Sequence, residues 1–429
     1  MLARSPGYAG SMLDLRGLQY FRTRAAAALS GHFASEFWNT VVLQAADTEP
    51  PVRHALFALS ALQESLEDPG TLNGGQQFQH NYRVAIAEYD TALVLTAQSL
   101  ETTVTPEAVL ISNVLFMCIE LMQHNYNAGA GHLKHGLRIL AELESGLASP
   151  RLTDTGHILS QVFRGILAQA IYLEKPYSKR LLISTGIGIV PEFSNLTQAR
   201  ELLENISTLV HCDLQANSSA LPNVDLSILL QQWQASFCTF LEWQQPSFTA
   251  DDSACSAMLK IHALALGIMC DTTCDGAFPA TYEAATPAFT HIIDLAEQQC
   301  VGGEIRLAVG FTFYGGLIGP LFYTALRCRV MSLRLRAVTL LRQLRPRIEG
   351  IWNSSMAASM AQRFIDVELE HGATERTASR TVAGAVGDGA GEGVLTIALS
   401  MPNAHERAIR IHIGKDGRKD GAREEVVTW

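Results

Sequence analysis

PPVRHALFALSALQESLE, residues 50–67, decides the fold class. Val52, Ala55, Leu56, Leu59 and Leu62 recur at intervals of three and four, the period of one helical face. Arg53, Gln63 and Glu64 fall away from that stripe and read as its polar side. Thr48 is placed to cap the helix, and Glu49, Pro50 and Pro51 fill its first turn. Proline is tolerated there because first-turn amides have no intrahelical acceptor. Asp68-Pro69-Gly70 ends it.

Working outward, the same period returns repeatedly. Residues 77–100 form an amphipathic stretch. Pro106 opens 106–123, which is apolar nearly all round and so belongs at the centre. Helical patterns follow over 130–143, 157–173 and 197–211. Asp225 caps LSILLQQWQASFCTFLEWQQ. SACSAMLKIHALALGIMC, TPAFTHIIDLAEQQ, PLFYTALRCRVMSLRLRAVTLLRQL and SSMAASMAQRFIDVELEHG complete the series. Strand signals are almost absent over 15–371, and no fixed-period repeat stands out. The expectation is an all-α fold: a single large domain over 15–371 of roughly a dozen helices, preceded by a flexible leader over 1–14. Residues 372–429 differ. Gly384, Gly387, Gly389, Gly391 and Gly393 read as a linker, and VLTIALSM and RAIRIHI have strand character. A small β-hairpin is expected there, with disorder as the alternative.

The 429 residues are 48% apolar and 17% charged, with a formal charge of −10. An acidic chain repels phosphates and is a poor general binder of nucleic acid. The charge-free window 307–326 is long enough to span a bilayer. Its four glycines and Pro320 instead favour a loop followed by a buried helix that starts near Pro320. The opening residues have no apolar signal segment. The eight cysteines are scattered through apolar surroundings and read as reduced thiols of an intracellular protein. Cys270 and Cys274 have the wrong spacing for a redox pair.

No nucleophile elbow, P-loop, dinucleotide fingerprint or HExxH zinc motif is present. His132 and His135 lie three apart on a helix but lack a third ligand in view. Asp251 and Asp252 read as capping charges for a helix from Ser253. His54 reads as a satisfied, buried imidazole beside the apolar stripe. Trp38, Trp233 and Trp243 read as core residues, with the lining of an interhelical pocket as the sharper alternative. Arg327, Arg329, Arg334, Arg336, Arg342, Arg345 and Arg347 form a basic run. It reads as a solvated helix face, or as attraction for an acidic partner, a nuclear import receptor or phosphate. No catalytic residue, cofactor-binding residue or metal ligand is assigned.

Several of these stretches resemble one family. LRGLQYFRTRAAAALSGHFASEFWNTVVLQAADTEPPVRHALFALSALQE looks like the opening of the regulatory domain of fungal-type zinc-cluster transcription factors. The likeness returns at AGHLKHGLRIL, at YEAATPAFTHIIDLAE, and across PLFYTALRCRVMSLRLRAVTLLRQLRPRIEGIWNSSMAASMAQRFIDVELE. It extends to the closing acidic-Val-Val-Thr-Trp. The resemblance implies an all-helical regulatory domain of transcription acting in the nucleus, with the cytoplasm as the alternative. Such regulators often sit in secondary-metabolite gene clusters. The family supplies no catalytic residues to carry over.

One departure matters. Relatives begin with a basic segment in which six closely spaced cysteines hold two zinc ions. Here the first cysteine is Cys118, inside an apolar helix, so these residues cannot build that module. The expectation is either loss of the module or its residence in a longer product. Function would then run through protein partners, such as a full-length zinc-cluster regulator or a second copy, or through sensing a small molecule. Direct DNA binding by this chain alone is not expected, nor is a membrane. The alternative is an enzyme without a standard motif on the same helical scaffold in a biosynthetic pathway; an adaptor of helical-repeat type ranks third.

Overall fold

In the computed structural model, all five apolar residues of the 50–67 stripe are buried, each at most 4% exposed. The structure describes residues 12–31, 33, 35–67, 74–99, 105–144, 153–170, 190–214, 225–274, 279–301, 310–344, 347–370, 395–399, 408–415 and 423–428. The expected leader (apart from 12–14), the Asp68-Pro69-Gly70 turn and the glycine-rich linker lie outside these residues.

The described residues begin with α1 (Met12–Tyr20), a π-helical turn (Phe21–Ala25) and α2 (Ala26–Ser30). A second π-helical turn (Phe37–Val41) leads into α3 (Val42–Thr48) and α4 (Pro50–Glu67). Thr48 is not the cap of α4. It is the last residue of α3, its hydroxyl donates to the Ala45 carbonyl, and the Glu49 carbonyl accepts the Arg53 amide. Gln63 is also corrected. Its side chain is buried, and its Nε2 donates to the Phe311 carbonyl at 3.4 Å.

Next come α5 (Gly74–Ser99), α6 (Pro106–Met122), α7 (Tyr126–Glu144) and α8 (Asp154–Ala170). α6 is the central helix the sequence predicts, buried at every position from Leu110 to Met122. Thr105 caps it by accepting the Ala108 amide. α4 packs against α5 and α6, α6 against α7, and α8 against α9 (Leu196–Leu214). α10 (Leu226–Gln244) begins as expected, with the Asp225 carboxylate accepting from the amides of Ser227 and Ile228. α11 (Ala250–Cys274), α12 (Pro279–Ala284) and α13 (Thr286–Val301) follow. Among the described residues one helix, Ala250–Asp271 of α11, is long and apolar enough to cross a membrane; 72% of its most apolar window is buried. It packs on α9, α10 and α13.

The expected single helix from Pro320 is two. α14 (Ile318–Arg327) is buried at all ten positions, and the chain breaks over Cys328–Val330 before α15 (Met331–Gln343). α16 (Ser354–Glu370) packs on both. Around them sits a small buried sheet that period-counting does not predict. β1 (Gly310–Thr312) runs parallel to β2 (Arg347–Glu349), which pairs antiparallel with β3 (Trp352–Asn353). Strands of two or three residues, buried on both faces, carry no alternation to read.

The tail forms a sheet rather than a two-stranded hairpin. β4 (Leu395–Leu399) and β5 (Ala408–Lys415) pair antiparallel, with Ile397 opposite Ile413, and β6 (Arg423–Thr428) adds to the other edge of β5. β6 also touches α16, where Arg363 meets Glu425 at 2.6 Å. All-α therefore describes the main body, with two small sheets added.

Candidate functional site

The residues singled out in the sequence do not converge. Trp38 is wholly buried, edge-on to Phe37 and Phe313. Trp233 is buried on Phe237, and its Nε1 donates to the Ala199 carbonyl at 2.9 Å. Trp243 departs from the core expectation: it is 79% exposed. His54 is half-buried, 2.6 Å from Glu88. His132 lies 3.5 Å from the Tyr89 hydroxyl, which donates to Glu120 at 2.6 Å, and His135 reaches Asn113. Burial lowers the His132 pKa, against the pull of Glu120. Among the described residues no three His, Cys, Asp or Glu side chains gather as a metal set. Cys118, Cys255, Cys270 and Cys328 are buried, Cys300 is half-buried and Cys238 exposed; the Cys212 and Cys274 side chains lie outside the described residues.

Asp251 and Asp252 do serve a helix start, one turn earlier than expected. The Thr249 hydroxyl accepts the Asp252 amide while Asp252 Oδ2 accepts the Thr249 amide, a reciprocal capping box. The basic run is the clearest correction. Arg334 and Arg347 are buried against Glu368 and Glu349, and Arg327 is buried over the Tyr282 ring. Arg336 bridges Asp294 and Glu297 on α13, and Arg342 reaches Gln362. The run is consumed mainly by contacts inside the protein; Arg345 lies outside the described residues.

What the structure does bring together is a mainly apolar cavity with a few charged groups, between α8, α9 and α11. Its space is about 50 Å³, enough for a few waters or a small ligand group. α8 contributes Gly165, Ala168 and Gln169; α9 contributes Arg200, Leu203, Glu204 and Ser207; α11 contributes Met258, Leu259, His262 and Leu266. Phe33 and Gly315 complete the wall. Gly165 makes room for the Glu204 carboxylate, because a Cβ at that position would sit 3.3 Å from its Oε2.

Arg200 is the dominant group. It is 6% exposed, with Cζ 4.0 Å from the Tyr314 ring centroid and 4.9 Å from that of Phe33. Its Nε lies 3.6 Å from Glu204 Oε1 and its Nη2 4.0 Å from Glu201, beyond hydrogen-bond range. Nε and Nη1 of Arg200, and Oε2 of Glu204, are buried without a hydrogen-bond partner. Such orphaned groups are uncommon and each carries a desolvation cost.

The electrostatics follow from burial. Glu204 is pushed up to about 7, chiefly by desolvation, with Arg200 pulling it down and Glu201 pushing it up. Desolvation lowers His262 to about 4. Tyr314 is raised by burial and partly brought back by Arg200, and its hydroxyl meets Ser35 at 3.2 Å. The cavity therefore holds a fixed cation, a carboxyl that titrates near neutrality and a neutral imidazole, beside an apolar wall.

None of these groups is singled out by the sequence. Arg200 and Glu204 stand four apart in ARELLE, which on its own reads as an ordinary exposed helix pair. Their burial depends on α11 and the segment after β1 covering α9, contacts far away in sequence. A second hollow of about 60 Å³ between α1, α4 and α5 is lined by Arg16, Glu64 and Glu88. There the charges pair with protein groups, Arg16 with Glu64 at 2.5 Å and Glu88 with His54.

No known family profile matches the chain, and no solved structure matches it. The transcription regulator lscL of Purpureocillium lilacinum is 31% identical over 123 residues, 28% of this chain and 29% of that protein. The chain thus covers less than a third of that relative. Over this part, it is similar to a fungal transcription regulator.

Proposed function

We propose that this chain is a regulatory domain of transcription control, answering to a small molecule held between α8, α9 and α11. In this reading it works in the nucleus through protein partners, either a full-length zinc-cluster regulator or a second copy. It governs genes of secondary metabolism, and residues 1–429 contain no six-cysteine cluster with which to read DNA. The observation that carries the regulatory reading is the 31% identity to a transcription regulator over 123 residues. The all-α body agrees with the resemblance of residues 15–371. Support for a ligand comes from Arg200 and Glu204, which line the cavity and carry buried polar atoms without protein hydrogen-bond partners.

The test is deletion of the gene with parallel profiling of transcripts and metabolites. Coordinated loss of messages from a set of neighbouring genes is the expected result. Unchanged transcripts together with a missing compound would sink the regulatory reading and favour the alternative, an enzyme on the same scaffold. One feature favours that second reading: a buried carboxyl titrating near neutrality beside a cation is a common arrangement in active sites. A salt-sensitive, sequence-preferring gel shift with the purified chain would overturn the claim that it does not bind DNA alone.

A further inference from the structure

The chemistry of the cavity narrows what it can hold. A guanidinium is planar, permanently charged and suited to oxygen acceptors. Arg200 is buried and interacts with the Tyr314 hydroxyl, yet its Nε and Nη1 lack acceptors, and its nearest carboxylates stand at 3.6 and 4.0 Å. Charge-assisted hydrogen bonds to an incoming oxygen would replace these missing contacts. Leu203, Met258, Leu259 and Leu266 offer an apolar wall for an alkyl body. The space of about 50 Å³ suits one small charged group with a short apolar body. A doubly charged phosphate would also face Glu204 and Glu201.

We propose that the cavity takes a single carboxylate, from a short organic acid or the acid end of a longer one, bound to Arg200 with uptake of one proton by Glu204. This rests on reading the cavity as a ligand site. A carboxylate on Arg200 removes part of the attraction that keeps Glu204 ionised and adds a second negative charge beside it. Glu204 then takes a proton from solvent, so the ligand's negative charge is balanced by that proton and the net charge of the site is unchanged by binding. The other titratable groups around Glu204 are Glu201 on α9 and Tyr314, with His262 of α11 on the same cavity wall. Since free Glu204 titrates at about 7, affinity is expected to fall up to about tenfold per pH unit above that point.

The experiment is calorimetry on the full chain with acetate, butanoate and hexanoate against acetamide, butanamide and hexanamide, at pH 6.5 and 8. Binding of one or more acids, tighter at pH 6.5, with heats at pH 8 that change with the buffer's ionisation enthalpy, is the expected result. Glu204→Gln should bind at least as tightly at pH 8 as the parent and lose the pH dependence. Arg200→Met, shown folded by circular dichroism, should bind at least tenfold more weakly. If Arg200→Met does not fold, the Glu204→Gln comparison decides alone. Amides binding as tightly as acids overturn the carboxylate class but leave a ligand site in place. Binding of neither series overturns the proposal and the cavity's role, while the transcript comparison still judges the regulatory reading separately.

Discussion

Arg334 on α15 and Glu368 on α16 meet at 2.7 Å, with side chains only 4% and 7% exposed. Arg334 Nε also donates to the Ala325 carbonyl in the last turn of α14, so one guanidinium ties three helices together. Removing one partner strands the other charge in the core. Glu368→Ala is expected to cost about 3–5 kcal/mol in urea unfolding. Arg334→Met combined with Glu368→Leu should cost clearly less than either single change, because neither charge then remains buried.

Gln169 at the end of α8 holds the small sheet in place. Its Nε2 donates to the Phe313 carbonyl at 2.9 Å, its Oε1 accepts from the Ile351 amide, and its own carbonyl accepts from Trp352 Nε1. Gln169→Leu leaves the Phe313 carbonyl and Ile351 amide without this partner and should cost about 1–3 kcal/mol per group. Gly350 turns at φ 52°, and a Cβ there would run into the Gln169 amide. Gly350→Ala should therefore destabilise strongly in the parent and less in Gln169→Ala. A double-mutant cycle by chemical denaturation measures that coupling. Equal losses in both backgrounds would show that backbone strain alone is responsible.

These two clusters mark where the sequence stops being readable. The stripe Val52, Ala55, Leu56, Leu59, Leu62 and the apolar length of 106–123 announce their helices because periodicity is local. Asp225 announces its helix start for the same reason. Gln63, Gln169, Arg200 and Arg334 look like polar surface residues in any short window. They are buried because segments far along the chain close over them and supply carbonyls, carboxylates or rings. The cavity shares that cause: α8, α9 and α11 each give a few residues, and none carries a motif.

Thr249 and Asp252 offer a local test of the start of α11, the helix that lines one side of the cavity. Thr249→Ala removes the hydroxyl that accepts the Asp252 amide, and a loss of about 1 kcal/mol is expected. Thr249→Ser should retain most of that stability. Hydrogen exchange should show the effect first at the amides of the opening turn.

Glu204 and His262 should oppose each other in the pH dependence of stability. Glu204 rises from 4.5 to about 7 on folding, so its favourable contribution is fully present below about 4.5 and is lost as pH rises to 7. His262 falls from 6.5 to about 4, so its contribution is present above 6.5 and is lost as pH falls towards 4. Between 4.5 and 6.5 the two slopes, each about 1.4 kcal/mol per pH unit, cancel. Substitution should expose whichever group remains. The stability of Glu204→Gln relative to the parent should climb by roughly 3 kcal/mol from pH 4.5 to 7. That of His262→Asn should fall by a similar amount from pH 4 to 6.5. Urea titrations of the three proteins across pH 4–7.5 give these differences directly, with other titrating groups subtracting out. A relative stability of Glu204→Gln that is flat across the range would mean that the Glu204 carboxyl titrates as it does in the unfolded chain, and that the cavity does not hold it protonated near neutrality.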